Sequence, residues 1–221
     1  MKIFLDTANL DDIKKYSELG LIDGVTTNPA LVAREGANFK DVVQEICKIV
    51  DGPVSAEVVS TDYETMKNEA LLISKLHENI IVKLPAIPDG FKTLKFCSDE
   101  GIKTNFTLVY TLTQALLAGK LGATYVSPFV GRMEATSTEG SKIITDIVKA
   151  YNNYSFKTKI LAASMRNVIY VREAALAGAH VATIPPDVLH DMLWSELSEI
   201  ALDGFLKEWN DLSEEKRSYF K

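Results

Sequence analysis

Cysteine and histidine are scarce in this chain, with two cysteines and three histidines among 221 residues. Cys47 and Cys97 are too few for a disulfide framework and stand in helix-like stretches, where core packing in a reducing compartment is the expected role. His77, His180 and His190 show no metal-ligand spacing with one another or with the cysteines, so no metal site is expected. Long apolar runs are also missing. The longest uncharged stretch, Thr104 to Gly119, is shorter than a membrane span and contains Asn105, Gln114 and several threonines. Asp6 interrupts the only apolar opening run, which argues against a signal peptide. Positive charge is not in excess. A net charge of -6 excludes a generally basic nucleic-acid binder, and an anionic substrate would have to be held by local arginines. No G-x-G-x-x-G or Walker-type loop follows any strand candidate, and no nucleotide, flavin or PLP motif is found. There is no Pro/Gly/Ser linker and no low-complexity tract. The expectation is one cytoplasmic domain over residues 1–221, with no membrane contact.

The residues that are present alternate between two patterns. Short apolar, often β-branched stretches run over Lys2 to Asp6, Gly24 to Asn28, Val54 to Val59, Ile80 to Pro85, Lys103 to Leu108, Tyr125 to Val130, Lys159 to Ser164 and His180 to Ile184. They read as doubly covered parallel strands. Amphipathic stretches lie between them: Asp11 to Leu19, Phe39 to Val50, Asp62 to Leu76, Gly90 to Ser98, Thr111 to Leu121, Thr138 to Tyr151 and Arg166 to Leu176. Helix-start signals stand at Thr61 or Asp62 and at Ser137-Thr138-Glu139, and several helices close at glycine. Eight strands with helices between them predict an α/β fold, the (β/α)8 TIM barrel. An open doubly wound sheet uses the same alternation, but the missing glycine fingerprint counts against it. After Pro185-Pro186, an additional C-terminal helix is expected within residues 187–221. Its apolar stripe of Leu189, Leu193, Leu197 and Ile200 is extended by Phe205, Leu206 and Trp209. Such a stripe covers either its own barrel or a neighbouring subunit. The charged residues from Ser213 onward are expected to be mobile.

One charge stands inside the driest strand. Lys83 lies in Ile80-Ile81-Val82-Lys83-Leu84-Pro85, and no acid falls between Glu78 and Asp89 to pair with it locally. An unpaired buried ammonium tends to shed its proton and becomes a nucleophile able to form a Schiff base. A lysine that snorkels to the strand end, or that pairs with a distant acid, is the plainer alternative. Strand parity bears on the choice. If Lys83 points into the barrel, so does Ile81, while Val82 and Leu84 face the helices. The same split puts Asp6 with Phe4, Thr26 with Asn28, Ser55 with Glu57, Asn105 with Thr107, and Ser127 with Phe129 on one face, against mainly apolar partners. Singly, Asp6 could cap a helix, Asn28 could be a turn residue before Pro29, and Ser127 could fill space. Repeated strand after strand, the pattern describes a polar cavity.

These residues carry a resemblance. Phe4-Leu5-Asp6-Thr7-Ala8, Gly24-Val25-Thr26-Thr27-Asn28-Pro29, Ser55-Ala56-Glu57-Val58, Ile81-Val82-Lys83-Leu84-Pro85, Thr104-Asn105-Phe106-Thr107-Leu108, Ser127-Pro128-Phe129-Val130-Gly131-Arg132 and Ala162-Ala163-Ser164-Met165-Arg166 occur in order. As a set they resemble the short, single-barrel transaldolases, which are related to the fructose-6-phosphate aldolases. The resemblance implies transfer of a dihydroxyacetone unit between sugar phosphates in the pentose phosphate pathway, without a cofactor. It implies that Lys83 forms the Schiff base and that Asp6 exchanges a proton with the C4 hydroxyl. Glu57 and Thr107 would hold the proton-shuttling water. Asn28 and Asn105 would bind hydroxyls, Thr26, Ser127 and Phe129 would line the pocket, and Arg132, Ser164 and Arg166 would bind phosphate. Fructose-6-phosphate aldolases place Gln at the Glu57 position and Tyr at the Phe129 position, so the transferase is favoured over a lyase that releases dihydroxyacetone. A non-catalytic sugar-phosphate binder is the alternative from another class. The resemblance also implies a homo-oligomer, a pentamer or decamer, with C-terminal helices reaching neighbours.

Overall fold

The computed structural model describes residues 1–136, 140–213, 216 and 217. Eight parallel strands close into a barrel in chain order: β1 (Lys2–Asp6), β2 (Gly24–Thr26), β3 (Val54–Glu57), β4 (Ile80–Pro85), β5 (Thr104–Val109), β6 (Tyr125–Pro128), β7 (Lys159–Ala162) and β8 (Val181–Ile184), with β8 pairing back onto β1. This is the expected (β/α)8 barrel. Around it run α1 (Leu10–Glu18), α2 (Pro29–Arg34), α3 (Phe39–Ile49), α4 (Tyr63–Ser74), α5 (Pro88–Asp99), α6 (Leu112–Lys120), α7 (Val130–Glu134), α8 (Gly140–Tyr154), α9 (Val168–Leu176), α10 (Pro186–Leu193) and α11 (Glu196–Asn210).

Side-chain oxygens fix the helix starts by accepting otherwise orphaned backbone N–H groups. Asn9 caps α1, Asn28 caps α2, Asn38 caps α3, Asp62 caps α4 and Asn167 caps α9, while Thr111 and Gln114 form a reciprocal capping box on α6. Asp6 therefore is not a cap. The start signal at Ser137-Thr138-Glu139 lies outside the described residues, as does most of the chain beyond Ser213.

Period-two alternation divides the core in two. Leu5, Val25, Val54, Ala56, Val82, Leu84, Phe106, Val126 and Ile160 face outward and pack under the helices. Phe4, Ile81, Tyr125, Leu161, Ala163 and Val181 point inward and form an apolar plug, with Phe129 packed against it. Phe4 and Tyr125 meet edge to face at 5.9 Å. Gly24 makes room for this plug: a Cβ there would lie 2.8 Å from the Phe4 ring and 2.6 Å from the Pro53 carbonyl oxygen. β5 departs from simple alternation. Leu108 has φ 57°, and the register with β6 shifts between Phe106 and Val109, so Val109 rather than Leu108 takes the outward core position.

Several strands end earlier than their apolar runs. Asn28, Val58 and Val59, Phe129 and Val130, and Ser164 all lie past the strand ends, in connections or in the short helices α2 and α7. The tail also differs from the single expected helix. Trp194 and Ser195 are extended, which breaks the run into α10 and α11. Leu189 is buried on α10, whereas α11 has no buried residue.

Candidate active site

A cavity of about 200 Å³ opens at the C-terminal ends of the strands, above the apolar plug. Polar side chains reach it in the parity that the strands dictate. Asp6 comes from β1, Thr26 from β2, Lys83 from β4, Asn105 and Thr107 from β5, and Ser127 from β6. Asn28, Phe129, Arg132, Ser164 and Arg166 join from the connections beyond the strands. The structure thus brings together every candidate except Glu57, which instead lines an apolar groove of about 450 Å³ between α2 and α4.

Glu57 nevertheless touches the centre of the site. The β3–β4 register sets it level with Lys83, and its Oε2 accepts a hydrogen bond from Lys83 Nζ at 2.9 Å. Nζ also donates to the Thr27 carbonyl at 3.1 Å. Both side chains are nearly buried, at 8% and 13% exposure. The expectation of an uncompensated lysine is corrected here. The local sequence offers no acid, but the neighbouring strand does. Glu57 spans the barrel wall, with one oxygen on the amine and its flank on the outer groove.

Asp6 faces the amine from the other side of the cavity. Burial pushes its carboxyl above the ordinary range, opposed by the charge of Lys83 and by the hydrogen bond from Thr26. That bond, Thr26 Oγ1 to Asp6 Oδ1, is 2.7 Å long. A second network runs along the opposite wall: Ser127 Oγ donates to Asn105 Oδ1 at 2.6 Å, and Asn105 Nδ2 donates to Ser55 Oγ at 3.2 Å. Ser55 thus belongs to the supporting framework. Asn28 uses its Oδ1 to cap α2, accepting from the Leu31 N–H at 3.0 Å. Thr107 is different, because its hydroxyl is buried with no hydrogen-bond partner among the described residues. A buried hydroxyl left so costs free energy that a bound water or ligand would return.

The mouth carries the positive charge. Arg132, on α7, places its guanidinium 5.7 Å from the centre of the Phe129 ring, and Tyr110 packs edge to face against the same ring at 5.9 Å. Arg166 lies just before the Asn167 cap rather than within the first turn of α9. Two backbone features draw the arginines together. Ser164 is held at φ 61°, and Gly131 approaches it so closely that a Cβ would sit 2.0 Å from the Ser164 carbonyl. Both arginines are exposed and neither forms an ion pair with an acid among the described residues.

A family model described as transaldolase/fructose-6-phosphate aldolase matches residues 3–218. The chain belongs to this family. It is 53% identical to a probable transaldolase of Thermodesulfovibrio yellowstonii, over 96% of this chain and 99% of that one. It is 52% identical to a probable transaldolase of a Thermoanaerobacter species, over 95% and 97% of the two chains. Among solved structures, thiamine phosphate pyrophosphorylase from Pyrococcus furiosus superposes with a TM-score of 0.57 at 17% identity, covering 83% and 85% of the chains, a likeness of fold alone.

The cavity of this family member holds residues beyond those expected from the sequence. Thr183, Leu161 and Ala163 also line it. Strand parity extended to β7 and β8 points to them, since Leu161 shares a face with Ala163 and Val181 with Thr183. Among the described residues, no group of three or more His, Cys, Asp or Glu could hold a metal ion, and no helix is long and apolar enough to cross a membrane.

Proposed function

We propose that the protein is a transaldolase that carries a dihydroxyacetone unit from a ketose phosphate to an aldose phosphate through a Schiff base on Lys83. The observation that supports this most is the placement of one buried amine between two carboxylates in different surroundings. Glu57 takes a proton from the Lys83 ammonium. The freed amine attacks the C2 ketone of fructose 6-phosphate or sedoheptulose 7-phosphate, and loss of water leaves a protonated imine. Asp6 then removes the C4 hydroxyl proton. The C3–C4 bonding electrons flow into the imine to give an enamine, and an aldose phosphate leaves. Addition to a new aldehyde reverses these steps, Asp6 returns its proton, and water hydrolyses the imine.

The remaining candidates take roles that their positions allow. Thr107, whose hydroxyl has no partner among the described residues, holds the shuttling water with Glu57. Asn105 and the Nδ2 of Asn28 bind the hydroxyls of the three-carbon unit, beside Ser127 and Thr26. Phe129 forms a wall. Arg132 and Arg166 clamp the phosphate by planar hydrogen-bonded forks, with Ser164 beside them. The substrates are sugar phosphates of the pentose phosphate pathway, in a cytoplasmic single-domain enzyme that assembles into a homo-oligomer.

Borohydride reduction in the presence of fructose 6-phosphate tests the chemistry. The Lys83 peptide gains the mass of the reduced three-carbon adduct, and Lys83→Met removes both the adduct and turnover while leaving the fold. An unmodified Lys83 peptide would mean a binder and not an enzyme. A coupled assay with erythrose 4-phosphate then separates transfer from cleavage: product formation indifferent to the acceptor would mean the lyase.

A further inference from the structure

Asp6 does not meet Thr26 alone. Thr26 Oγ1 lies 2.7 Å from Asp6 Oδ1 and 2.5 Å from Thr183 Oγ1. The two threonines come from β2 and β8, the strands that flank β1, and their hydroxyls meet across its inner face. Thr183 is 4% exposed and Thr26 2%. No other hydrogen bond of the Thr183 hydroxyl is found among the described residues.

Counting protons fixes the direction of this chain. Each hydroxyl carries one hydrogen, and an ionised carboxylate can only accept. When Asp6 is charged, Thr26 must give its hydrogen to Oδ1, so the hydrogen between the two threonines must come from Thr183. We infer that Thr183 is a positioning residue for the general base: it commits Thr26 to donate to Asp6 and polarises that bond from behind. Asp6 is thereby aimed and kept ionised in a place where burial opposes its charge. When Asp6 takes the substrate proton, the chain can reverse, so that Thr26 accepts and Thr183 receives. The hydroxyl pair thus follows the charge of Asp6 through the catalytic cycle without moving a heavy atom. This rests on the proton-transfer role given to Asp6 above.

The other charges around Asp6 are accounted for. Lys83 faces it from β4, with Glu57 of β3 bound to the amine, and Arg132 and Arg166 line the same cavity. β2 and β8 bring no charged side chain to it. Asp11, Asp12, Lys14, Lys15 and Glu18 of α1, and Asp187, His190 and Asp191 of α10, belong to helices outside the barrel wall. Thr26 and Thr183 are therefore the neutral groups through which the protonation of Asp6 can be tuned without touching the amine.

The test is the pH dependence of kcat/KM for wild type, Thr183→Val, Thr183→Ser and Thr26→Val, together with the Thr26→Val/Thr183→Val double variant; the titration of the substrate phosphate is common to all. Val keeps the shape of Thr at position 183 and removes only the hydroxyl. Its acid limb should move to higher pH by about half to one unit, the worth of one neutral hydrogen bond. KM should stay within about twofold, and Ser should restore the wild-type limb. Because the chain acts through Thr26, the double variant should shift no further than Thr26→Val alone. An acid limb unmoved in Thr183→Val, or shifts that add in the double variant, would overturn the assignment even where the protein loses thermal stability. Borohydride trapping separates this failure from failure of the reaction itself. A wild type that is trapped on Lys83, with an unmoved Thr183→Val limb, removes only the role of Thr183. A wild type that is never trapped removes both.

Discussion

At the residue scale, the site works against stability. Asp6 is buried with its carboxyl pushed above the ordinary range, so the folded state holds a proton there more readily than the unfolded chain does. Its favourable contribution is present below the unfolded pKa, 3.8, and is lost as pH rises through the folded value. At neutral pH the ionised group therefore costs stability. Asp6→Asn should lower kcat by ~10²–10⁴-fold, as loss of a general base does, and should raise Tm at pH 7. The gain in Tm should shrink as pH falls toward the carboxylate range; differential scanning calorimetry over that range checks it, and a Tm gain independent of pH would contradict burial as the cause. The arginines are separable from this chemistry. Arg132→Ala should raise KM for phosphorylated donors by roughly 10–100-fold, the worth of charge-assisted hydrogen bonds, with little effect on free dihydroxyacetone. Equal losses for both donors would place Arg132 elsewhere in the mechanism. The cavity residues Lys83, Asp6 and Thr107 are legible in the sequence, because they stand at fixed parity on strands. The pairing of Lys83 with Glu57 was not legible, since it depends on the β3–β4 register, and no local pattern encodes which residues of two strands lie level.

At the scale of elements, the barrel was readable from its alternation, and its errors fall at the strand ends. Val58 and Val130 lie past the strand ends yet stay buried under the helices, whereas Val59 beside Val58 is 68% exposed, so hydrophobicity does not mark where a strand stops. The short helices α2 and α7 are not expected from the sequence: the sixth strand candidate runs into Val130 of α7, and α2 lies in a stretch given no element, although Asn28-Pro29 is a cap followed by a proline at the first helical position. These connections matter more than their length suggests. Gly131 lets α7 rest on the Ser164 carbonyl, and that contact brings Arg132 toward Arg166. A methyl group at position 131 must displace one backbone from another, which overpacked sites resist at a cost of about 1–3 kcal/mol. Gly131→Ala should therefore raise KM for fructose 6-phosphate by about tenfold, near the loss of one charged hydrogen bond, while borohydride trapping of dihydroxyacetone on Lys83 persists. Loss of trapping together with phosphate affinity would show that α7 supports the whole site and not only its mouth.

At the scale of the molecule, the barrel closes all strand edges and buries a double core, yet α11 stands apart from both. Leu197 is 78% exposed, Phe205 69% and Ile200 61%, and the helix buries nothing. Trp194 and Ser195 break the chain just where a single long helix would have kept this stripe in line with the buried Leu189 of α10. The break turns the apolar face away from its own barrel. A free helix of this length is marginal in water, and helices in proteins owe most of their stability to packing. A stripe of leucine, isoleucine and phenylalanine left in solvent forgoes ~25 cal/mol for each Å² that could be covered. A symmetric ring of copies would remove the problem, because each α11 would cover a neighbour and be covered in turn. Sedimentation velocity at low micromolar concentration should give a species several times 24.4 kDa. The double variant Leu197→Asp/Phe205→Asp should move it toward the mass of one chain, since a buried carboxylate without a partner is excluded from such a contact. The circular dichroism of the barrel should survive, because neither residue touches its core. A wild type that sediments as a single chain, or a double variant that stays fully assembled, would mean that the exposed face of α11 has another use.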